Sequence, residues 1–180
     1  MSSPSSLRRS SAAALALCAV ALAGCSSGAG EGATAPRALS RQALEHRVAD
    51  SLAADDPAAT IRAHCSGGLE TRPGATRDCR VDVGVEDADV HVAVSSVSGG
   101  RPSLRITPYI PADRLGEALR SSLSGQGYRV ESVACDAELA GEPDATTSCT
   151  ATPAEGEGRV DVHVTRVDGL MVDFDYEVVR

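Results

Sequence analysis

The sequence predicts an α+β protein made of two tandem repeats. Each repeat is one N-terminal helix packed on a small antiparallel β-meander and held by one internal disulfide. Three observations predict this: an internal duplication, strict alternation of Val with polar residues, and paired cysteines at equal spacing. The segment from Cys65 to Gly99 repeats seventy residues later, from Cys135 to Gly169, without a gap. Eleven of 35 positions are identical across it, among them both cysteines, Leu69 and Leu139, Pro73 and Pro143, and four Val of each copy. Upstream, Leu44, Val48 and Leu52 match Leu115, Leu119 and Leu123 after a one-residue shift.

The elements follow in order. Apolar residues at i, i+4 and i+8 predict a helix at the start of each copy. Ser40 or Asp113 would cap its N-terminus, and Gly125 would stop the second helix. A strand then leads into the first cysteine, through "ATIRAHC" or "YRVESVAC". Three more strands follow the cysteine loop. "RVDVHVTRV" and "MVDFDYEVV" alternate Val with polar residues, as half-buried strands do. A three-residue turn around Asp168, Gly169 and Leu170 would set Val164 opposite Phe174 and Val162 opposite Tyr176, keeping one face apolar. In the first copy, Pro102 and Pro108 mark the last segment as an edge strand and break its regularity.

The N-terminal residues place the repeats. "MSSPSSLRRSS" is polar and carries Arg8 and Arg9; "AAALALCAVALAG" follows, too short for the roughly 20 residues a membrane span needs but fitting a signal-peptide core. Leu22, Ala23, Gly24 and Cys25 resemble the lipobox of bacterial lipoproteins, which implies lipidation at Cys25. The expected organisation is a lipoprotein signal peptide over 1–24, a lipidated cysteine and Gly/Ser/Ala-rich tether over 25–38, repeat 1 over 39–110 and repeat 2 over 111–180. The protein would then be exported and anchored by its lipid to the outer face of the cytoplasmic membrane, a membrane partner that it does not span.

Helix, strand, cysteine, short loop, second cysteine and alternating Val strands ending in "VDGLMVDFDYEVV" resemble domain of unknown function 4333, in two copies. The resemblance is carried best by Cys135, Cys149, Val160, Val162, Val164, Asp168, Gly169 and Phe174. It implies a secreted or lipid-anchored actinobacterial envelope protein and supplies no activity.

Composition excludes several chemistries. The chain has no Lys and 17 Arg, so it can form no Schiff base and no phosphate loop ending in Gly-Lys-Ser/Thr. Its formal charge of -8 becomes -10 once Arg8 and Arg9 are removed with residues 1–24, which argues against a nucleic-acid partner. One Phe, three Tyr and no Trp leave little for aromatic pockets.

Export permits disulfides. The duplication favours Cys65 with Cys79 and Cys135 with Cys149, because each copy then holds its own partner. Closing a 15-residue loop contributes about 3 kcal/mol in the chain-entropy model. A zinc site would need four ligands, and His64, adjacent to Cys65 on a strand, points to the opposite face. A redox pair favours Cys-x-x-Cys at a helix start. Neither metal nor cofactor is expected.

The outer face of copy two gathers Asp161, His163, Asp173, Asp175 and Glu177. It is a candidate interaction face, although carboxylates beside a histidine also suit cation binding or acid–base work. Copy one places His91, Arg105 and Thr107 there; His46 and His64 stand apart. The sequence carries no Gly-x-Ser-x-Gly or His-Glu-x-x-His motif. The expectation is a non-catalytic module that binds an envelope or extracellular protein. The alternative is an inhibitor of an extracytoplasmic enzyme, since tandem helix-plus-sheet units with one disulfide each are similar in outline to the β-lactamase inhibitory protein.

Overall fold

The structure, a computed structural model, describes residues 38–54, 59–153 and 158–179. The expected signal peptide, Cys25 and nearly all of the tether lie outside the described residues. Those that are described belong to one compact unit, mostly β with two helices.

The chain enters through β1 (Ala38–Leu39), two residues expected to end the tether and start the repeat, and runs into α1 (Arg41–Ala53). Ser40 caps that helix as its type predicts: its backbone is extended, and its Oγ accepts a hydrogen bond from the Ala43 N–H at 3.2 Å. β2 (Ile61–Cys65), β3 (Leu69–Glu70), β4 (Thr76–Val83), β5 (Glu86–Ser98) and β6 (Arg101–Ile110) complete the first repeat. The second runs through α2 (Ala112–Gly125), β7 (Val130–Cys135), β8 (Leu139–Ala140), β9 (Thr146–Pro153), β10 (Gly158–Asp168) and β11 (Met171–Val179).

Three expectations change in detail. Asp113 does not cap α2. Pro111 holds that position without a side-chain bond, and Asp113 falls inside the first turn, where its charge suits the positive end of the helix dipole. The α2 stop is made by Gly127 rather than Gly125. Gly127 takes φ 90°, and the Tyr128 N–H returns to the Leu123 carbonyl at 3.1 Å. β6 is a regular ten-residue strand despite Pro102 and Pro108. Proline lacks an N–H, and β6 pairs along its length with β5 alone, meeting β8 only at Tyr109 and Ile110.

The strands order as β2-β4-β5-β6-β8 in one sheet and β11-β10-β9-β7 in another, every pairing antiparallel. Val164 faces Phe174 and Val162 faces Tyr176, as the alternation requires. The device differs from a three-residue turn. Asp168 pairs with Met171 around a two-residue turn, and a bulge at Thr165 restores the register. β5 and β6 repeat this, with the shift at Ser95 and a Gly99–Gly100 turn.

Each repeat buries an aliphatic core. Leu44 and Val48 of α1 meet Leu69, Val81, Val90, Val92 and Val94, all at most 2% exposed. Leu115, Leu119 and Leu123 of α2 meet Leu139, Val160 and Val162 in the same way. The disulfides form as the duplication favours. Cys65–Cys79 and Cys135–Cys149 are directly opposed strand partners, with Cα atoms 4.0 and 3.8 Å apart.

The repeats are joined by strand sharing. β1 pairs with β3, Leu39 opposite Leu69, and the end of β6 pairs with β8, Ile110 opposite Leu139. The last residues of the first repeat therefore do for the second what β1 does for the first. Gly141 closes the joint by donating its N–H to the Pro108 carbonyl at 2.7 Å. A Cβ there would sit 2.5 Å from that oxygen, so this close approach requires glycine.

Candidate functional site

The five residues of the predicted face do lie together on β10 and β11. Asp161 stands opposite Glu177, His163 opposite Asp175, and Arg166 opposite Asp173. Two of the five, Asp161 and Asp173, are ion-paired to arginines. Asp161 accepts hydrogen bonds from Arg159 Nε at 2.7 Å and Ser148 Oγ at 2.8 Å. The Arg159 contact, then Ser148, holds its carboxyl below the usual range. Asp173 accepts from Arg166 Nε at 3.1 Å, and Asp175 accepts the backbone N–H of Tyr176 at 3.1 Å. A carboxylate stabilised in its charged form is a poor proton donor near neutral pH. Among the described residues, no three His, Cys, Asp or Glu side chains converge as metal ligands would.

The structure adds two features at the seam between the repeats. The first is polar. His91 on β5 contacts Asp78 of β4 and Glu138 just before β8, and stacks on Tyr109 of β6. Beside it, Arg114 of α2 contacts Asp87 at 2.9 Å and Asp89 at 3.5 Å, and Arg80 also holds Asp87 at 2.6 Å. These contacts, with Arg114 first, lower the Asp87 pKa. The equivalence of His91 with Asp161 was readable from the duplication. Its contact with Glu138 was not, because it crosses between copies whose residues differ there.

The second is an apolar groove of about 720 Å³, lined by Leu52, Ile61, Val83, Ala88, Leu170 and Met171, with Glu86 and Asp168 among its polar walls. Leu170, at the tip of the β10–β11 hairpin, packs against the first repeat's core. Its counterpart in the first repeat is Gly100, which has no side chain to make such a contact. Met171 beside it is 56% exposed. The groove lies by the last turn of α1. Thirteen residues of helix, roughly 20 Å at about 1.5 Å per residue, separate it from the end where β1 enters.

Fold and seam thus define a protein of two disulfide-stapled repeats that share a strand. The chain belongs to the family described as domain of unknown function (DUF4333), whose model matches residues 20–99 and again 107–169. The second match starts within β6, at the residues that lead the second repeat. No curated protein and no solved structure matches the chain.

Proposed function

We propose that this protein is a lipid-anchored extracytoplasmic binding module without catalytic activity, tethered through Cys25, that engages an envelope or extracellular protein. Each repeat is read as a small α+β unit. The observation that carries the proposal is the seam groove, an open aliphatic surface formed by both repeats about one helix length from the tethered end. Two cystines suit an oxidising compartment. The face of Asp161, His163, Asp173, Asp175 and Glu177, with Asp161 and Asp173 ion-paired to arginines, suits a solvated surface better than acid–base chemistry.

The tyrosines support this reading over that of an enzyme inhibitor, which leans on aromatic anchors. Tyr109 is stacked in the seam, and the Tyr176 hydroxyl is engaged by Ser122 and Gln126 of α2. Tyr128, 47% exposed, is left on the surface.

Two measurements test the proposal. Cys25→Ala should move the mature protein from the membrane fraction to the soluble one; retention on the membrane overturns the anchor. A photo-crosslinking residue at Met171 should capture a defined partner in the intact envelope, lost when Leu170 is changed to Asp. Capture from Glu177 but not Met171 would move the binding surface to the outer face of β10 and β11.

A further inference from the structure

His91 stands on the outer face of β5, opposite Asp78 of β4 and Thr107 of β6. Its Nδ1 lies 2.8 Å from Asp78 Oδ1 and its Nε2 2.5 Å from Glu138 Oε1. The Tyr109 ring lies parallel to it, with centroids 4.0 Å apart. Ionised carboxylates only accept hydrogen bonds, and a neutral imidazole carries a single N–H. A neutral ring therefore satisfies one carboxylate and turns a lone pair toward the other. The imidazolium alone donates to both. Asp78 belongs to the first repeat and Glu138 to the second, directly before β8.

We propose that protonation of His91 closes a latch between the two repeats, and that its deprotonation at higher pH frees Glu138 and loosens β8 from the end of β6. The groups around the ring support this. Partial burial opposes the charged ring, but the hydrogen bonds and charges of Glu138 and Asp78 outweigh it, so the pKa lies above the ordinary 6.5. Burial, then the charges of Asp78, Asp89 and Glu138, raises the Tyr109 pKa and keeps the phenol neutral. Arg80 of β4 is held by Asp87, and Asp89 of β5 by Arg114 of α2. Arg105 of β6 stands opposite Ala93, two residue pairs beyond Thr107.

The sign follows from the direction. A histidine with a raised folded pKa stabilises its contacts fully below the unfolded value, and that contribution is lost as pH rises through the folded value. The latch therefore closes in mild acid. The duplication did not copy it: Asp161 and Ser148 replace His91 and Asp78 in the second repeat, and Gly68 of the first stands where Glu138 does.

The test follows the imidazole resonances of the full chain by NMR from about pH 5 to about pH 9. Alongside, it records hydrogen-exchange protection of the Gly141 amide, corrected for the intrinsic pH dependence of exchange. The expected result is a His91 midpoint above 6.5 and a roughly threefold fall in Gly141 protection through it, the size half-exposed ion pairs give. Glu138→Gln, a surface change, should lower that midpoint and flatten the protection profile; His91→Gln should leave protection constant with pH. A His91 midpoint at or below 6.5, or equal Gly141 protection on both sides of it, overturns the latch.

Discussion

Arg114, in the first turn of the second helix, places its guanidinium 2.9 Å from the carboxylate of Asp87 on the first repeat's sheet. The contact depresses the Asp87 pKa below 3.8. A depressed carboxyl stabilises the fold above its unfolded pKa, and the contribution is lost as pH falls through the folded value. Thermal melts below about pH 4 should therefore show an acid-side loss that is smaller in Arg114→Gln. Because the pair is exposed, salt should shrink the difference between the two proteins.

The two cystines close loops of equal length between directly opposed strand residues. Replacing Cys135 and Cys149 together by Ala should cost about 3 kcal/mol in urea unfolding. The same pair of changes at Cys65 and Cys79 should cost a similar amount. A loss near zero at either site would show that strand pairing alone holds that loop.

Pro73–Gly74 and Pro143–Asp144 make the same turn, closed by Ala75 N–H to the Arg72 carbonyl and Ala145 N–H to the Glu142 carbonyl, each at 3.1 Å. Gly74 sits at φ 81°, and Asp144 takes φ 63°, a region costly for a side-chain-bearing residue. Asp144→Gly should raise stability by about 0.5–1 kcal/mol, measured as a shift in denaturation midpoint. Gly74→Asp should lower it.

Gly116 presses α2 against β7, and a Cβ there would lie 2.5 Å from the Val133 carbonyl oxygen. Gly116→Ala should cost about 1–3 kcal/mol through the forced shift. Gly125, at the end of the same helix, has nothing within 4 Å of an added Cβ. Gly125→Ala should be neutral or gain up to about 1 kcal/mol. Paired denaturation curves check both.

The parts of the fold readable in advance were those repeated in the chain. Val90, Val92 and Val94 and their counterparts mark the buried face twice, and the cysteine pairs follow from the same register. The facing of Val164 and Phe174 was legible because one slip would bury Asp173; the bulge that achieves it leaves no mark in composition. Ser40 was legible as a cap because its effect is local. Asp113 was misleading, because a proline had already set the helix entry. Gly116 was opaque: its counterpart Glu45 reaches out to accept the Cys65 N–H at 3.0 Å, so the two helices meet their sheets differently. Of the candidate site, the outer face of β10 and β11 was readable from alternation. The seam was not, because Leu170, Glu138 and Arg114 act where the copies differ.

Because β6 both finishes one repeat and leads the next, the boundary between copies is a splice and not a hinge. Such a design is open-ended. The close of β11 offers Val179, 42% exposed, at the place where Tyr109 receives β8. A further copy would place its own short leucine-bearing segment there, as β8 places Leu139. The side chains that fasten this seam, Leu170, Glu138 and Arg114, lie where the copies differ, so each added copy reuses the backbone pairing and needs seam contacts of its own.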